Sequence, residues 1–151
     1  LKDVKKGVTR EEMIEAGRKL KRCGILCSAT LISGLGGRQR LREHAIASAS
    51  LISAIKPDYV GFLTLMIDPQ APIYSKIVSG ELELLNPEDV VEEMKLFLEN
   101  VDSEGTVFRS NHASNYVILK GTLNEDIPSM LAYLRQVEEQ GKYREERWRR
   151  F

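Results

Sequence analysis

With only two cysteines, Cys23 and Cys27, the chain has no disulfide framework, and so low a number suits a reducing compartment. No stretch comes near the roughly 18 continuous apolar residues that read as a membrane span. Charge of either sign is not in excess: Lys+Arg and Asp+Glu both number 22, so no global field draws nucleic acid or an anionic membrane, and any binding is local. A start methionine is missing, and the opening "LKDVKKGVTREEM" has no apolar signal-peptide core. Together these absences predict a cytoplasmic protein with no membrane or nucleic-acid partner, of which Leu1 is an internal point. What is there, 151 residues at 42% hydrophobic, is enough for one domain with a real core.

Local signals predict a regular alternation of elements. Thr9 followed by Glu12 is a capping box, and Met13, Ile14, Gly17 and Leu20 make an apolar stripe that Gly24 terminates, giving a helix over 9–23. "ILCSATLIS" reads as a parallel strand buried on both faces. "GLGG" then turns into a helix over 40–55 that Pro57 ends, and "DYVGFLTLM" is a second buried strand. The irregular stretch 68–85 has room for a short hairpin. Asn86 and Pro87 open a helix with Val90, Val91, Met94, Phe97, Leu98 and Val101 as its stripe. "TVF" and "VILKG" are short strands flanking a polar segment, and a last helix starts near Asn124, with Pro128 in its first turn. The order is α/β, with the strands parallel in one sheet: an incomplete (β/α) barrel or an open doubly wound sheet. Residues 1–141 form the domain and 142–151 a charged aromatic tail carrying Tyr143, Trp148 and Phe151, of which Tyr143 and Trp148 are expected to dock on the protein.

Four groups are candidates for chemistry. Cys23 and Cys27 are too few to ligate a cluster or a structural zinc, and are expected to be buried thiols. The "GLGG" turn at 34–37, between a strand end and a helix start, is either an anion seat reinforced by Arg38 or Arg40, or a turn whose glycines permit close packing. His44 has no carboxylate or cysteine spaced to form a triad and is assigned a structural or supporting part. The densest polar cluster is "RSNHASN": Arg109, Ser110, Asn111, His112, Ser114 and Asn115. It reads either as the lining of a site, with His112 able to move a proton, or as a network that satisfies a tight corner. Its excess of side-chain polarity over a turn's needs favours the lining.

In order along the chain, "KKGVTREEMIEAGRKLKRCGI", "SATLISGLGG", "EHAIASASLISAIKPDYVGFLTLMIDPQAPIY", "FRSNHASNYVILKGTLNED" and "YREERWRR" resemble the C-terminal half of radical S-adenosylmethionine (radical SAM) enzymes, in the Fe–S oxidoreductase branch. The resemblance spans nearly the whole chain, and "SNHASNY" with "LKGTL" is its most specific part. It implies a partial or full (β/α) barrel that holds a [4Fe–4S] cluster on a C-x-x-x-C-x-x-C loop and reductively cleaves S-adenosylmethionine to a 5′-deoxyadenosyl radical. Cys23 and Cys27 have the first spacing of that loop, but Thr30 stands where the third cysteine belongs, so the cluster loop is expected upstream and this chain is expected to hold no cofactor alone. By the same resemblance Ile32 and Gly34 lie along the adenine in the fifth barrel strand and Val60 contacts it from the sixth. Arg109, Asn111, His112 and Asn115 would line the cofactor or substrate. Gly37 replaces a glutamate found in many members. The implied partner is the missing N-terminal half of the barrel, without which the chain is expected to self-associate. The rival expectation is a non-enzymatic α/β binding module for a phosphorylated ligand or a partner protein.

Overall fold

The structure is a computed structural model and describes residues 6–150. Leu1 and Phe151 lie outside the described residues.

The helices begin where local chemistry supplies a partner for their first N–H groups. In α1 (Arg10–Arg22) the Thr9 hydroxyl accepts from the Glu12 N–H at 3.2 Å, while the Glu12 carboxylate accepts from the Thr9 N–H at 2.7 Å. Asn86 and Asp89 make the same reciprocal pair at the start of α4 (Pro87–Asn100), at 2.7 and 3.2 Å. α2 (Leu41–Ile55) stops at Lys56, which takes the left-handed conformation ahead of Pro57, and α5 (Ile127–Gln140) stops at Gly141, also left-handed. Within 68–85 the chain forms a short helix, α3 (Tyr74–Val78), rather than a hairpin. Among the described residues no strand pairs with that segment.

Among the described residues four strands make one sheet in the order β1 (Ser28–Ser33), β2 (Tyr59–Thr64), β3 (Val107–Arg109), β4 (Lys120–Thr122). The first three are parallel, with Ser28 opposite Tyr59 and Tyr59 opposite Val107. The last is antiparallel, Val107 facing Thr122. A wholly parallel sheet was the expectation from element order. It fails at β4 because residues 110–119 contain no crossover helix, and without one the chain can only turn back.

Helix α1 packs on α2, α2 on α4 and α4 on α5, so the long helices form a single layer. Against it the strands present alternate residues: Ala29 and Leu31, Val60 and Phe62, and Phe108 join Ile52, Val91, Phe97 and Leu134 in one core. Phe62, Phe97 and Phe108 are mutually in ring contact at 5.8–5.9 Å between centroids. The intervening residues face away from this layer, and Ser28, Thr30, Tyr59, Arg109 and Lys120 are exposed. The expectation that "ILCSATLIS" and "DYVGFLTLM" are buried on both faces is therefore corrected: helices cover one face only. β1 is also an edge strand, and Ile25 and Leu26 just before it are 53% and 70% exposed.

Gly17 is the one buried residue of α1, although Met13, Ile14 and Leu20 share its stripe. A Cβ there would sit 2.6 Å from Ile55 Cγ2, so the glycine sets how closely α1 approaches α2. Gly17→Ala is expected to lower stability by about 1 kcal/mol, because overpacking at roughly 1–3 kcal/mol exceeds the gain of about 1 kcal/mol in helix propensity. A thermal melt that rises instead would show that the two helices part at no cost.

Candidate functional site at the C-terminal ends of the strands

The parallel strands all end at one side of the sheet, where open α/β folds place their ligands. Three features meet there: the "GLGG" turn after β1, the polar segment after β3, and the returning tail.

The "GLGG" turn is built around a carboxylate that sequence reasoning missed. Glu93 of α4 is 1% exposed. Its Oε2 accepts a short hydrogen bond from the Ser33 hydroxyl and one from the Gly34 N–H at 2.9 Å, while Oε1 takes a short contact from His44 Nδ1. Gly34 has φ +90°, and a Cβ on Gly36 would meet His44 Cβ at 2.9 Å, so these glycines allow the strand end and the start of α2 to close on the acid. The anion seat read from the sequence is thus occupied by the protein's own carboxylate at its Gly34 N–H. Arg38 and Arg40 are likewise engaged, by Asp89 at 3.2 Å and Glu43 at 2.7 Å. A carboxylate on Nδ1 fixes the His44 ring and puts the neutral ring's proton on that nitrogen, leaving Nε2 as the basic atom. The sequence did carry one signal: Glu93 falls on the stripe of Val90, Met94 and Phe97, where an exposed acid would not be expected.

The polar segment is bonded to the end of β2. Backbone pairing of β2 with β3 stops at Gly61 and Arg109, which leaves later β2 groups to find other partners. Asn115, fully buried, donates from Nδ2 to the Phe62 carbonyl at 2.6 Å and to the Ser110 carbonyl at 2.9 Å, and accepts from the Thr64 hydroxyl at 2.9 Å. The Ser114 hydroxyl accepts from the Thr64 N–H at 3.2 Å. Ser110 bridges Val117 and Leu119 through its hydroxyl. His112 Nδ1 accepts from the Ser114 N–H at 3.2 Å, which puts the proton of the neutral ring on Nε2. His112, Asn111 and Arg109 are exposed, and Arg109 also donates to its neighbour's carbonyl, that of Phe108, at 2.9 Å. The serines and Asn115 thus act as a side-chain continuation of the sheet.

Ile32 lies half-buried on the face away from the helices, one residue before the strand end. Gly34 is buried at the turn. The Val60 side chain is in the helix-packed core at 1% exposure, so only its backbone is turned to anything else. Of the two cysteines, Cys27 is buried before β1, but Cys23 is exposed at the C-cap of α1, contrary to the expectation of two buried thiols. Among the described residues no group of three or more His, Cys, Asp or Glu is placed to hold a metal ion.

The tail returns to this end of the sheet. The Arg144 guanidinium donates to the carbonyls of His112, Ala113 and Asn115 at 2.9–3.2 Å, and Arg149, 6% exposed, donates from Nε to the Ser114 carbonyl at 2.6 Å. Tyr143 packs against the core, its hydroxyl buried without a hydrogen-bond partner among the described residues and raised in pKa by that burial, then by nearby Glu88 and Glu138. Trp148, expected to dock, is 60% exposed, with the Arg147 guanidinium over its ring at 5.3 Å. Between Ser33, Gly34 and Thr64 on the sheet side and Tyr116 and Arg149 on the tail side lies a cavity of about 260 Å³. A shallower hollow between α1 and Ala54 contains none of these strand-end residues.

The chain matches no family model, no curated protein and no solved structure. No helix among the described residues is long and apolar enough to cross a membrane.

Proposed function

We propose that this chain is the C-terminal part of a radical SAM barrel enzyme of the Fe–S oxidoreductase branch, which in its whole form cleaves S-adenosylmethionine reductively. The observation that carries the reading is the one-sided sheet. Three parallel strands with helices on one face, an opposite face of mixed polarity and a β1 edge unpaired among the described residues resemble a section of (β/α) barrel wall, to which the antiparallel β4 is an addition. A doubly wound sheet would carry helices on both faces. The resemblance in sequence supplies the chemistry, and Gly34 lies at the turn after β1, at the strand ends where such a barrel would hold the adenine.

The residues present do not fit the [4Fe–4S] cluster. Cys27 precedes β1 and so stands at the end of the sheet opposite the cavity, and Cys23 is farther back on α1. The cluster belongs, in this proposal, to the N-terminal half of the barrel, and the chain alone is inactive. A reducing, cytoplasmic setting goes with it.

Two measurements test the proposal. The reading frame upstream of Leu1 is expected to encode the three-cysteine loop, and the whole protein, reconstituted anaerobically with iron and sulfide and reduced with dithionite, is expected to release 5′-deoxyadenosine. A reconstituted protein that leaves S-adenosylmethionine intact would refute it. The free β1 edge, flanked by Ile25 and Leu26, also predicts that the 151-residue chain associates into dimers or larger species. Light scattering that gives a stable monomer at micromolar concentration would remove that support.

A further inference from the structure

We propose that the cavity at the strand ends is a binding site for a small organic carboxylate with an apolar body, seated on Arg149 and Tyr116 in place of the chain's own Glu146. The site lies within this chain's residues and stands or falls independently of the barrel reading.

Arg149 is an unusual cation for a charged tail, because its side chain is 5% exposed and walls a cavity. Most of its guanidinium is fixed by groups that do not leave. Nε donates to the Ser114 carbonyl at 2.6 Å, Nη2 to the Leu65 carbonyl at 3.3 Å, and the plane lies over the Tyr116 ring at 4.1 Å. Nη1 completes its hydrogen bonding with the Tyr116 hydroxyl at 2.5 Å and the two oxygens of Glu146 at 2.7 and 2.8 Å. Tyr116 in turn donates to Glu146 at 2.8 Å. A carboxylate on a buried arginine and a phenol is therefore already present, and it comes from the protein.

Glu146 is held differently from its partners. Its side chain is 68% exposed and it belongs to a three-residue turn, so swinging outward returns it to water and gives up only its bonds from Arg149 and Tyr116, which keep their other contacts. Burial first, and then the hydrogen bond to Glu146, push the Tyr116 hydroxyl up to about 12, so it remains a donor at neutral pH. Burial raises the Glu146 carboxyl, but the hydrogen bonds from Arg149 and Tyr116 and the arginine's charge outweigh it, and the group ends below its ordinary value. The vacated position would offer one cation and one neutral donor, a match for a monoanion with two oxygens. Ser33, Gly34 and Thr64 line the sheet side, and Leu65, Leu84 and Leu85 add an apolar surface on which a short apolar body can lie.

The test titrates the full chain with sodium hexanoate and follows the fluorescence of Trp148, the single tryptophan, two residues from Glu146. A saturable response to hexanoate and none to hexanol is expected. If Glu146 occupies the seat roughly nine-tenths of the time, Glu146→Gln will tighten hexanoate binding about tenfold, since the apparent affinity is reduced by the fraction of competent sites. Tyr116→Phe, which keeps the ring under Arg149, is expected to weaken binding about fivefold. Both variants must retain the parent's far-ultraviolet circular dichroism. Equal responses to hexanoate and hexanol, an affinity that Glu146→Gln leaves unchanged, or no response in either form would overturn the proposal. Inorganic phosphate binding as tightly as hexanoate, with the same dependence on Glu146, would overturn the assignment to an apolar carboxylate.

Discussion

Replacing Glu93 with alanine is expected to cost about 3–5 kcal/mol of stability, the range for removing one partner of a buried charged network. Three donors converge on this side chain: the Ser33 hydroxyl, the Gly34 N–H and His44 Nδ1. Alanine leaves the first two without a partner inside the protein, and it leaves a hollow in α4 next to Val90 and Met94, which are themselves almost fully buried. Glu93→Gln keeps the volume but replaces one acceptor oxygen with an amide donor aimed at another donor, so a loss of about 1–3 kcal/mol is expected. A urea titration decides between this and a passive role. If Glu93→Ala shifts stability by less than about 1 kcal/mol, the carboxylate is not what holds the turn to α4. His44→Ala should cost less on its own, and little more when added to Glu93→Ala, because the two share one interaction.

Asn115→Ala is expected to cost about 3 kcal/mol. The asparagine satisfies two carbonyls and a hydroxyl in a place with no exposure, and each buried group left unpaired costs roughly 1–3 kcal/mol, with some recovered by relaxation. His112→Ala, three residues before Asn115 in the same segment but exposed, is expected to change stability by less than about 0.5 kcal/mol. The contrast separates the two readings of "RSNHASN" within a single segment. Equal losses at both positions in chemical denaturation would mean that the segment is held by something other than the Asn115 network.

What was legible in the sequence was set by the range of the interaction. The Thr9–Glu12 capping box and the Asn86 N-cap followed by Pro87 are local signals, and both helices begin where they predict. The strand cores of "SATLIS" and "YVGFLT" were equally readable, since β-branched and apolar runs need no partner to be seen. Their exposure was not readable. Whether a strand's second face is covered depends on where the other elements go, and here every long helix goes to one side. The hairpin expected in 68–85 failed for a related reason: a run of prolines and glycine marks irregular backbone without saying what it packs against, and the segment 74–78 closed on itself as a helical turn.

The candidate site divides along the same line. The glycine turn and the polar segment stood out by composition, and both lie at the C-terminal ends of the strands. Glu93 did not stand out, because its partners on β1 and α2 are 60 and 49 residues away, and a glutamate in a charged helix looks solvated until those elements are assembled. Arg149 was hidden in a tail of charged and aromatic residues, and only the fold brings it against Tyr116, 33 residues earlier. Buried charge is set by tertiary structure, and a linear reading assigns charge to the surface by default.

The Thr64 amide hydrogen is held by the Ser114 hydroxyl, not by a carbonyl of a neighbouring strand. Its exchange with deuterated solvent is consequently tied to the lifting of residues 110–116, whereas the amides between β1 and β2 wait for a larger opening of the sheet. A single resonance thus serves as a clock for how often this segment lifts from the end of β2, beside the cavity that Thr64 lines, and it can be read without any ligand in hand.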